Sequence, residues 1–330
     1  MDLLWLSESD VRSLLTVRDA IPLVEDAFAS VARGEARMPP KIYLDFKEFG
    51  GDLRAMPAYL PKSAAGKPFA GVKVVTVHPG NPAKGLPTVS AVFVLNDPET
   101  GLPLALMGAG ALTDIRTGAA GGVAAKHMAR KDSRVVGLVG CGRQAVTQLQ
   151  ALLALFSVDA VKVAGKTRED AERFCRETSA IIGKSVKMTP CDVREACEAD
   201  IVVTTTPARA PVVMDGWVRP GTHITAVGAD APGKQEIESS LLARALVIVD
   251  KKEQAVHSGE VNVPLATGAL KPEGIAGELG DVILGKLPGR TSPEEITLFD
   301  STGLAVQDVA VGAWVYLSAK KNNAGVRLAL

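Results

Sequence analysis

The spacing of apolar and polar positions changes character twice along the chain. Over residues 7–33 it is helical. A first short helix passes through Leu14 and Leu15 behind Ser7 or Ser9 as N-cap. A second follows Thr16, with Ile21, Val24, Phe28 and Val31 three or four apart and Gly34 closing it. From residue 39 to 106 the pattern shortens to β-rich runs cut by Gly and Pro, at 42–46, 53–58, 70–77, 88–96 and 102–107. Residues 96–101 (Asn-Asp-Pro-Glu-Thr-Gly) form a turn signal between two of these runs, so a meander or curved sheet is expected. From Asp132 onward, apolar runs at 134–139, 161–164, 201–204, 222–227 and 246–249 alternate with helical stretches such as 144–155 and 169–178. Val- and Ile-rich runs of this kind suit strands covered on both faces of a parallel sheet. A last helix is expected at 306–320, returning to pack on the first region.

Composition narrows the partners. The chain has 330 residues, of which 47% are hydrophobic, and 37 Lys and Arg balance 37 Asp and Glu. No basic surplus is present to neutralise a phosphate backbone, so nucleic acid is excluded as the main partner and a small molecule is expected. The first ten residues lack the basic and apolar segments of a signal peptide, and no apolar run approaches the roughly 20 residues that span a bilayer. A cytoplasmic protein with no membrane partner is expected. Cys141, Cys175, Cys191 and Cys197 lack metal-ligand spacing, so thiols and no metal site are expected.

The strongest local signal is Val135-Val136-Gly137-Leu138-Val139-Gly140-Cys141-Gly142-Arg143-Gln144-Ala145, a strand followed by G-x-G-x-x-A opening a helix. In a Rossmann unit Gly140 permits the tight turn, Gly142 lets the backbone approach a diphosphate, and Ala145 allows close helix–strand packing. The N–H groups that begin the helix, Arg143 and Gln144 among them, then face the anion. The next strand ends in Gly165-Lys166-Thr167-Arg168, with no carboxylate before Glu169. An acidic residue there binds the ribose 2′-hydroxyl of NAD, whereas two cations and a hydroxyl suit a 2′-phosphate. The sequence therefore predicts NADP(H) as preferred cofactor, with NAD(H) possible.

Further segments are similar to a known family. Met38-Pro39-Pro40-Lys41-Ile42-Tyr43-Leu44, Arg54-Ala55-Met56-Pro57-Ala58-Tyr59, Gly71-Val72-Lys73-Val74-Val75, His78-Pro79-Gly80-Asn81-Pro82 and Leu86-Pro87-Thr88 resemble the ornithine cyclodeaminase/mu-crystallin family. So do Thr113-Asp114-Ile115-Arg116-Thr117-Gly118, Gly228-Ala229-Asp230-Ala231-Pro232-Gly233-Lys234-Gln235-Glu236 and Phe299-Asp300-Ser301-Thr302-Gly303-Leu304. Within that family the sequence looks most like the archaeal-type alanine dehydrogenase branch. Arg54 matches that branch, where ornithine cyclodeaminases have a glutamate. The Gly-Lys-Thr run after the second strand looks closer to NADPH-using mu-crystallins, which are ketimine reductases. The resemblance implies an α/β fold: a substrate-binding and dimerisation domain over 1–113, to which 305–330 returns, and a Rossmann NAD(P)-binding domain over 114–304. It also implies a homodimer.

It further implies that Lys41, Arg54, Lys73 and Arg116 surround the substrate. The chemistry of these side chains agrees, since a guanidinium clamps the carboxylate of a 2-oxo or 2-imino acid with paired charged bonds. Arg116 is the first choice for that clamp, with Lys41 or Arg54 assisting. An ammonium at Lys73, on an otherwise apolar strand, polarises an oxygen as charge develops. Asp230, at the edge of the sheet where such folds hold ligands, is the proton acceptor. Thr88 is a candidate contact to substrate or cofactor, and Thr205, Val227 and Ser301 are candidate cofactor contacts. His78, His127, His223 and His257 are not assigned catalytic roles; the last three are expected on the surface or on helices. The expected reaction is reversible oxidative deamination of a small L-amino acid to a 2-oxo acid and ammonia. The alternatives are ornithine cyclodeamination, reduction of a cyclic ketimine, and a binding protein without catalysis.

Overall fold

The computed structural model describes residues 2–183 and 186–329. The chain divides into two units, one holding residues up to Arg116 and from Leu304 onward, the other Thr117–Gly303. The first division falls a few residues later than the sequence reading places it, inside one continuous helix.

In the first unit, β1 (Asp2–Leu6), α1 (Glu8–Leu14) and α2 (Val17–Ala32) precede β2 (Ile42–Phe46), β3 (Gly51–Leu60), β4 (Phe69–Val77), β5 (Val89–Asn96), β6 (Pro103–Gly108) and the start of α3 (Gly110–Met128); α11 (Ala305–Asn322) and β15 (Val326–Ala329) complete it. Ser7 and Thr16 begin the two helices with reciprocal bonds to Asp10 and Asp19, which is why these short polar residues set the boundaries. Strands β2 to β6 form the expected antiparallel meander, and β1 and β15 extend it to seven strands. The Glu8 carboxylate accepts the N–H groups of Gly110 and Ala111 at 2.6 and 2.7 Å and so caps α3.

One face of this sheet is covered by α11. On that face Met56, Lys73, Phe93 and Met107 stand in one cross-strand row, all buried. The Phe93 ring is wedged between two glycines. A Cβ on Gly71 would sit 2.5 Å from the ring, and one on Gly312 of α11 2.4 Å from it. Only residues without side chains let strand, ring and helix meet at this depth. On the opposite face Ile42, Ala55, Val74 and Val92 align in register, and Ile42, Leu44 and Val92 are 62%, 55% and 40% exposed.

The second unit contains β7 (Val135–Val139), α4 (Arg143–Leu155), β8 (Ala160–Ala164), α5 (Arg168–Ile182), β9 (Lys187–Pro190), α6 (Val193–Cys197), β10 (Ile201–Thr204), β11 (His223–Ala226), α7 (Ser239–Arg244), β12 (Leu246–Val249), α8 (Lys252–Ser258), α9 (Asn262–Ala266), β13 (Ile275–Glu278), α10 (Leu279–Ile283) and β14 (Thr297–Asp300). Its eight strands are all parallel, in the order β13-β12-β14-β11-β10-β7-β8-β9. Chain order reverses between β7 and β10, the switch point at which doubly wound sheets open a ligand crevice. This is the Rossmann architecture expected from the apolar runs. Among the described residues, no helix is long and apolar enough to cross a membrane.

Candidate functional site

In the first unit, two of the four candidate cations, Lys73 and Arg116, meet on one carboxylate. Lys73 lies in the middle of β4 and is 1% exposed, not an edge-strand surface lysine. Its Nζ is 2.9 Å from both carboxylate oxygens of Asp308, on α11. Arg116 Nε reaches the same carboxylate at 3.1 Å, and its Nη1 donates to Gln307 Oε1 at 3.2 Å. Arg116 and Asp308 are 5% and 0% exposed. Two buried cations therefore share one carboxylate. Burial pulls the Lys73 ammonium down to about 7, and the neighbouring charges of Arg116 and Lys41 act the same way against the opposing pull of Asp308. Gln307 Nε2 is buried with no hydrogen-bond partner among the described residues, leaving a donor for a ligand.

Arg54, on β3, forms a double bond-pair with Asp52 (Nε–Oδ1 2.7 Å, Nη2–Oδ2 3.1 Å) and lies 5.4 Å from the centre of the Tyr43 ring. Lys41 immediately precedes β2. Thr88 sits just before β5, where its carbonyl accepts His78 N–H at 2.8 Å and closes the β4–β5 loop. His78 stacks on Phe46 with ring centres 6.0 Å apart.

In the second unit the glycine loop joins β7 to α4. Gly140 has φ +103°, which only glycine adopts without strain, and a Cβ there would sit 2.7 Å from Thr205 Oγ1. Gly142 is the N-cap of α4. No side chain among the described residues caps that helix, and open space lies where a Gly142 Cβ would be. Ala145 is buried in the first turn. Thr205 follows β10, with its N–H bonded to Val139 O, and Val227 follows β11, with its N–H bonded to Thr204 O, both at 2.9 Å. Ser301 follows β14. The hydroxyls of Thr205 and Ser301 are buried without partners among the described residues. A helix start that no side chain among the described residues caps, the open space beside Gly142 and two orphaned hydroxyls fit a dinucleotide.

At the end of β8, Lys166, Thr167 and Arg168 are exposed. The Thr167 oxygen accepts Asp170 N–H at 3.1 Å to cap α5, and Arg168 pairs with Glu172 at 3.2 Å. A Cβ on Gly165 would lie 2.7 Å from Cys141 Sγ and 2.9 Å from Ala171 N, so this glycine permits loop packing and does not clear space. Asp230 lies beyond β11 and is paired with Lys234. His223 departs from the expected surface position. It is fully buried in β11, bonded to Thr297 Oγ1 at 2.9 Å and Thr225 Oγ1 at 3.1 Å, and burial lowers its pKa to about 3, keeping it neutral.

Sequence reasoning passed over Asp308, Gln307 and Glu236. For the first two the signal was available, a Gln-Asp pair inside an otherwise apolar helix.

A doubly wound parallel sheet whose chain order reverses beside a glycine-rich helix start defines a dinucleotide-type fold, and the same chain buries Lys73 and Arg116 on the one carboxylate of Asp308. The chain belongs to the ornithine cyclodeaminase/mu-crystallin family, whose sequence signature matches residues 1–323. It is 49% identical to an alanine dehydrogenase of Archaeoglobus fulgidus over 331 residues, covering 99% of this chain and 98% of that one. Among solved structures, an archaeal alanine dehydrogenase dimer with bound NAD superposes with a TM-score of 0.95 at 48% identity, covering 100% of both chains. The Delta(1)-pyrroline-2-carboxylate reductase of Thermococcus litoralis, in complex with NADH and L-proline, gives a TM-score of 0.94 at 37% identity, covering 99% of this chain and 100% of that chain.

Proposed function

We propose that this protein is a nicotinamide-dinucleotide-dependent amino-acid oxidoreductase of the alanine dehydrogenase type. It converts a small L-amino acid, water and oxidised dinucleotide to a 2-oxo acid, ammonium, reduced dinucleotide and a proton, reversibly. The observation that carries the reading is the triad of Lys73, Asp308 and Arg116, which buries two cations on one carboxylate. The excess positive charge and the unused Gln307 amide are matched by a substrate carboxylate.

When bound, the dinucleotide supplies hydride transfer to and from the substrate Cα. Arg116 holds the carboxylate, with Lys41 and Arg54 adding positive potential. Lys73, poised near neutral pH, gives a proton to the oxygen of the oxo acid or carbinolamine and takes one from it in the reverse direction. Asp230 accepts the proton of the amine. Gly140, Gly142, Arg143, Gln144, Ala145, Thr205, Val227 and Ser301 form the dinucleotide site. Oxidation of NADPH or NADH on addition of pyruvate and ammonia, followed at the nicotinamide absorbance, tests the reading; a protein without affinity for either dinucleotide would overturn it. A second reading, reduction of a cyclic imino acid, is favoured by the likeness to the Thermococcus litoralis reductase and uses the same carboxylate clamp. A cyclic imino acid in place of pyruvate and ammonia separates the two.

Of the two dinucleotides, NADP(H) is the proposed preference, held by Lys166 and Arg168 and by the Thr167 hydroxyl. Lys166→Ala together with Arg168→Ala is expected to lower kcat/KM for NADPH about tenfold and leave that for NADH within about twofold, each of the two solvated phosphate contacts contributing about 0.7 kcal/mol. Steady-state kinetics with both cofactors checks this, and a native preference for NADH would refute it. The apolar side chains of Ile42, Leu44 and Val92 are exposed on one face of the first unit's sheet, with Ala55 and Val74 half-buried between them, and a second copy of the chain is their proposed cover, giving a homodimer. The four cysteines carry free thiols, in keeping with a proposed cytoplasmic location.

A further inference from the structure

We infer that Glu236 is a positioning residue for the dinucleotide, a buried carboxyl clamp that fixes the two strand ends bearing Thr205 and Val227. The inference rests on the dinucleotide-dependent reading above. Glu236 is fully buried, and its carboxylate meets four donors. Oε1 accepts Thr206 N–H at 2.6 Å and Thr206 Oγ1 at 2.8 Å. Oε2 accepts Thr204 Oγ1 at 2.7 Å and Gly228 N–H at 2.7 Å. Thr204 and Thr206 flank Thr205 at the end of β10, and Gly228 follows Val227 at the end of β11. One side chain therefore ties both segments on the crevice side of the sheet, two residues short of Asp230.

The stem of the clamp is held as well. Glu260, also fully buried, accepts the N–H groups of Glu236 and Ile237 at 2.9 and 2.7 Å. Gly228 has to be glycine for the carboxylate to approach, because a Cβ there would lie 2.5 Å from Glu236 Oε2 and 2.1 Å from Thr206 O. The clamp reaches the glycine loop in turn, since a Gly140 Cβ would meet Thr205 Oγ1 and Thr206 Cγ2 at 2.7 and 3.1 Å. Moving Thr206 therefore moves the wall against which Gly140 turns and the orphaned Thr205 hydroxyl beside it.

Chemistry requires a carboxylate at this place. Each oxygen faces one backbone N–H, which cannot rotate away. In Glu236→Gln the amide NH₂ opposes either Thr206 N–H or Gly228 N–H, whichever way it is flipped. A neutral isostere thus releases one of the two strand ends without removing any volume.

The test is a fluorescence titration of NADPH and NADH into wild-type, Glu236→Gln and Thr206→Val proteins, with thermal unfolding of each. Glu236→Gln is expected to raise the dinucleotide Kd about tenfold. Thr206→Val, which keeps the N–H and loses only the hydroxyl, is expected to raise it about threefold. The KM for the oxo acid at saturating dinucleotide is expected to be unchanged in both. Loss of folding alone lowers the active fraction and leaves the Kd of the surviving protein at the wild-type value, so Kd separates the roles. Wild-type affinity in both variants would overturn the inference, as would parallel rises in Kd and in the oxo-acid KM. Absence of binding by the wild-type protein would instead overturn the dinucleotide-dependent reading itself.

Discussion

Lys73→Met is expected to lower kcat by about 10²- to 10⁴-fold, the range covered by one general acid–base group, while dinucleotide affinity stays at the wild-type level. Methionine preserves the length and fits the apolar row between Met56 and Phe93, so the loss reports the amine and not the packing. The pH profile identifies the group. With Lys73 near 7, kcat/KM for the amino acid rises as pH climbs through neutrality and the amine becomes neutral. That limb is expected to vanish in the variant, and its survival would assign it to another residue. Stability follows the same titration. The folded chain holds the lysine proton less tightly than the unfolded chain, where the value is 10.5. The unfolded state binds the extra proton between about 7 and 10.5, so the contribution of Lys73 to stability is full above that window and is lost as pH falls through it. Urea unfolding of wild-type and Lys73→Met proteins at pH 6 and pH 10 is expected to favour the variant more at the lower pH.

Asp308→Asn is expected to destabilise the protein by about 3–5 kcal/mol, the usual cost of leaving a buried charge without its partner. Here one carboxylate serves both Lys73 and Arg116, so a single substitution strands two cations. The urea midpoint at pH 7 measures the effect. Loss of Asp308 also removes the interaction that holds the Lys73 value up, so the activity limb is expected to move to lower pH in whatever folded fraction remains. A variant as stable as wild type, with an unmoved limb, would show that the triad is not electrostatically coupled.

The second unit was legible because parallel strands covered on both faces announce themselves as uninterrupted apolar runs, and 201–204 and 246–249 coincide with β10 and β12. The glycine loop was legible because its backbone shape requires particular residues. Helix α3 was not, since most of its residues from Ala111 to Ala125 are buried and an all-round buried helix has no polar face to mark its period. Strands β13 (Ile-Ala-Gly-Glu) and β14 (Thr-Leu-Phe-Asp) are no longer than β10 and β12 but are broken by Gly, Glu, Thr or Asp, so they form no uninterrupted apolar run. The site divides the same way. Lys73 and Arg116 stood out as cations among apolar neighbours, whereas their partner Asp308 lies 235 residues beyond Lys73 in sequence, a separation that no local pattern bridges. Glu236 was visible only as one letter of a longer motif, because its role depends on donors brought together from two strand ends.

The Phe93 wedge bears on the chemistry through geometry alone. Gly71 stands two positions before Lys73 on β4, Phe93 is opposite Lys73 on β5, and Gly312 lies one turn beyond Asp308 on α11. The thickness of one aromatic ring thus acts as the spacer between the layer bearing the ammonium and the layer bearing its counter-ion. A bulkier or slimmer residue at any of the three positions would reset the 2.9 Å separation, so this trio is constrained to vary together or not at all.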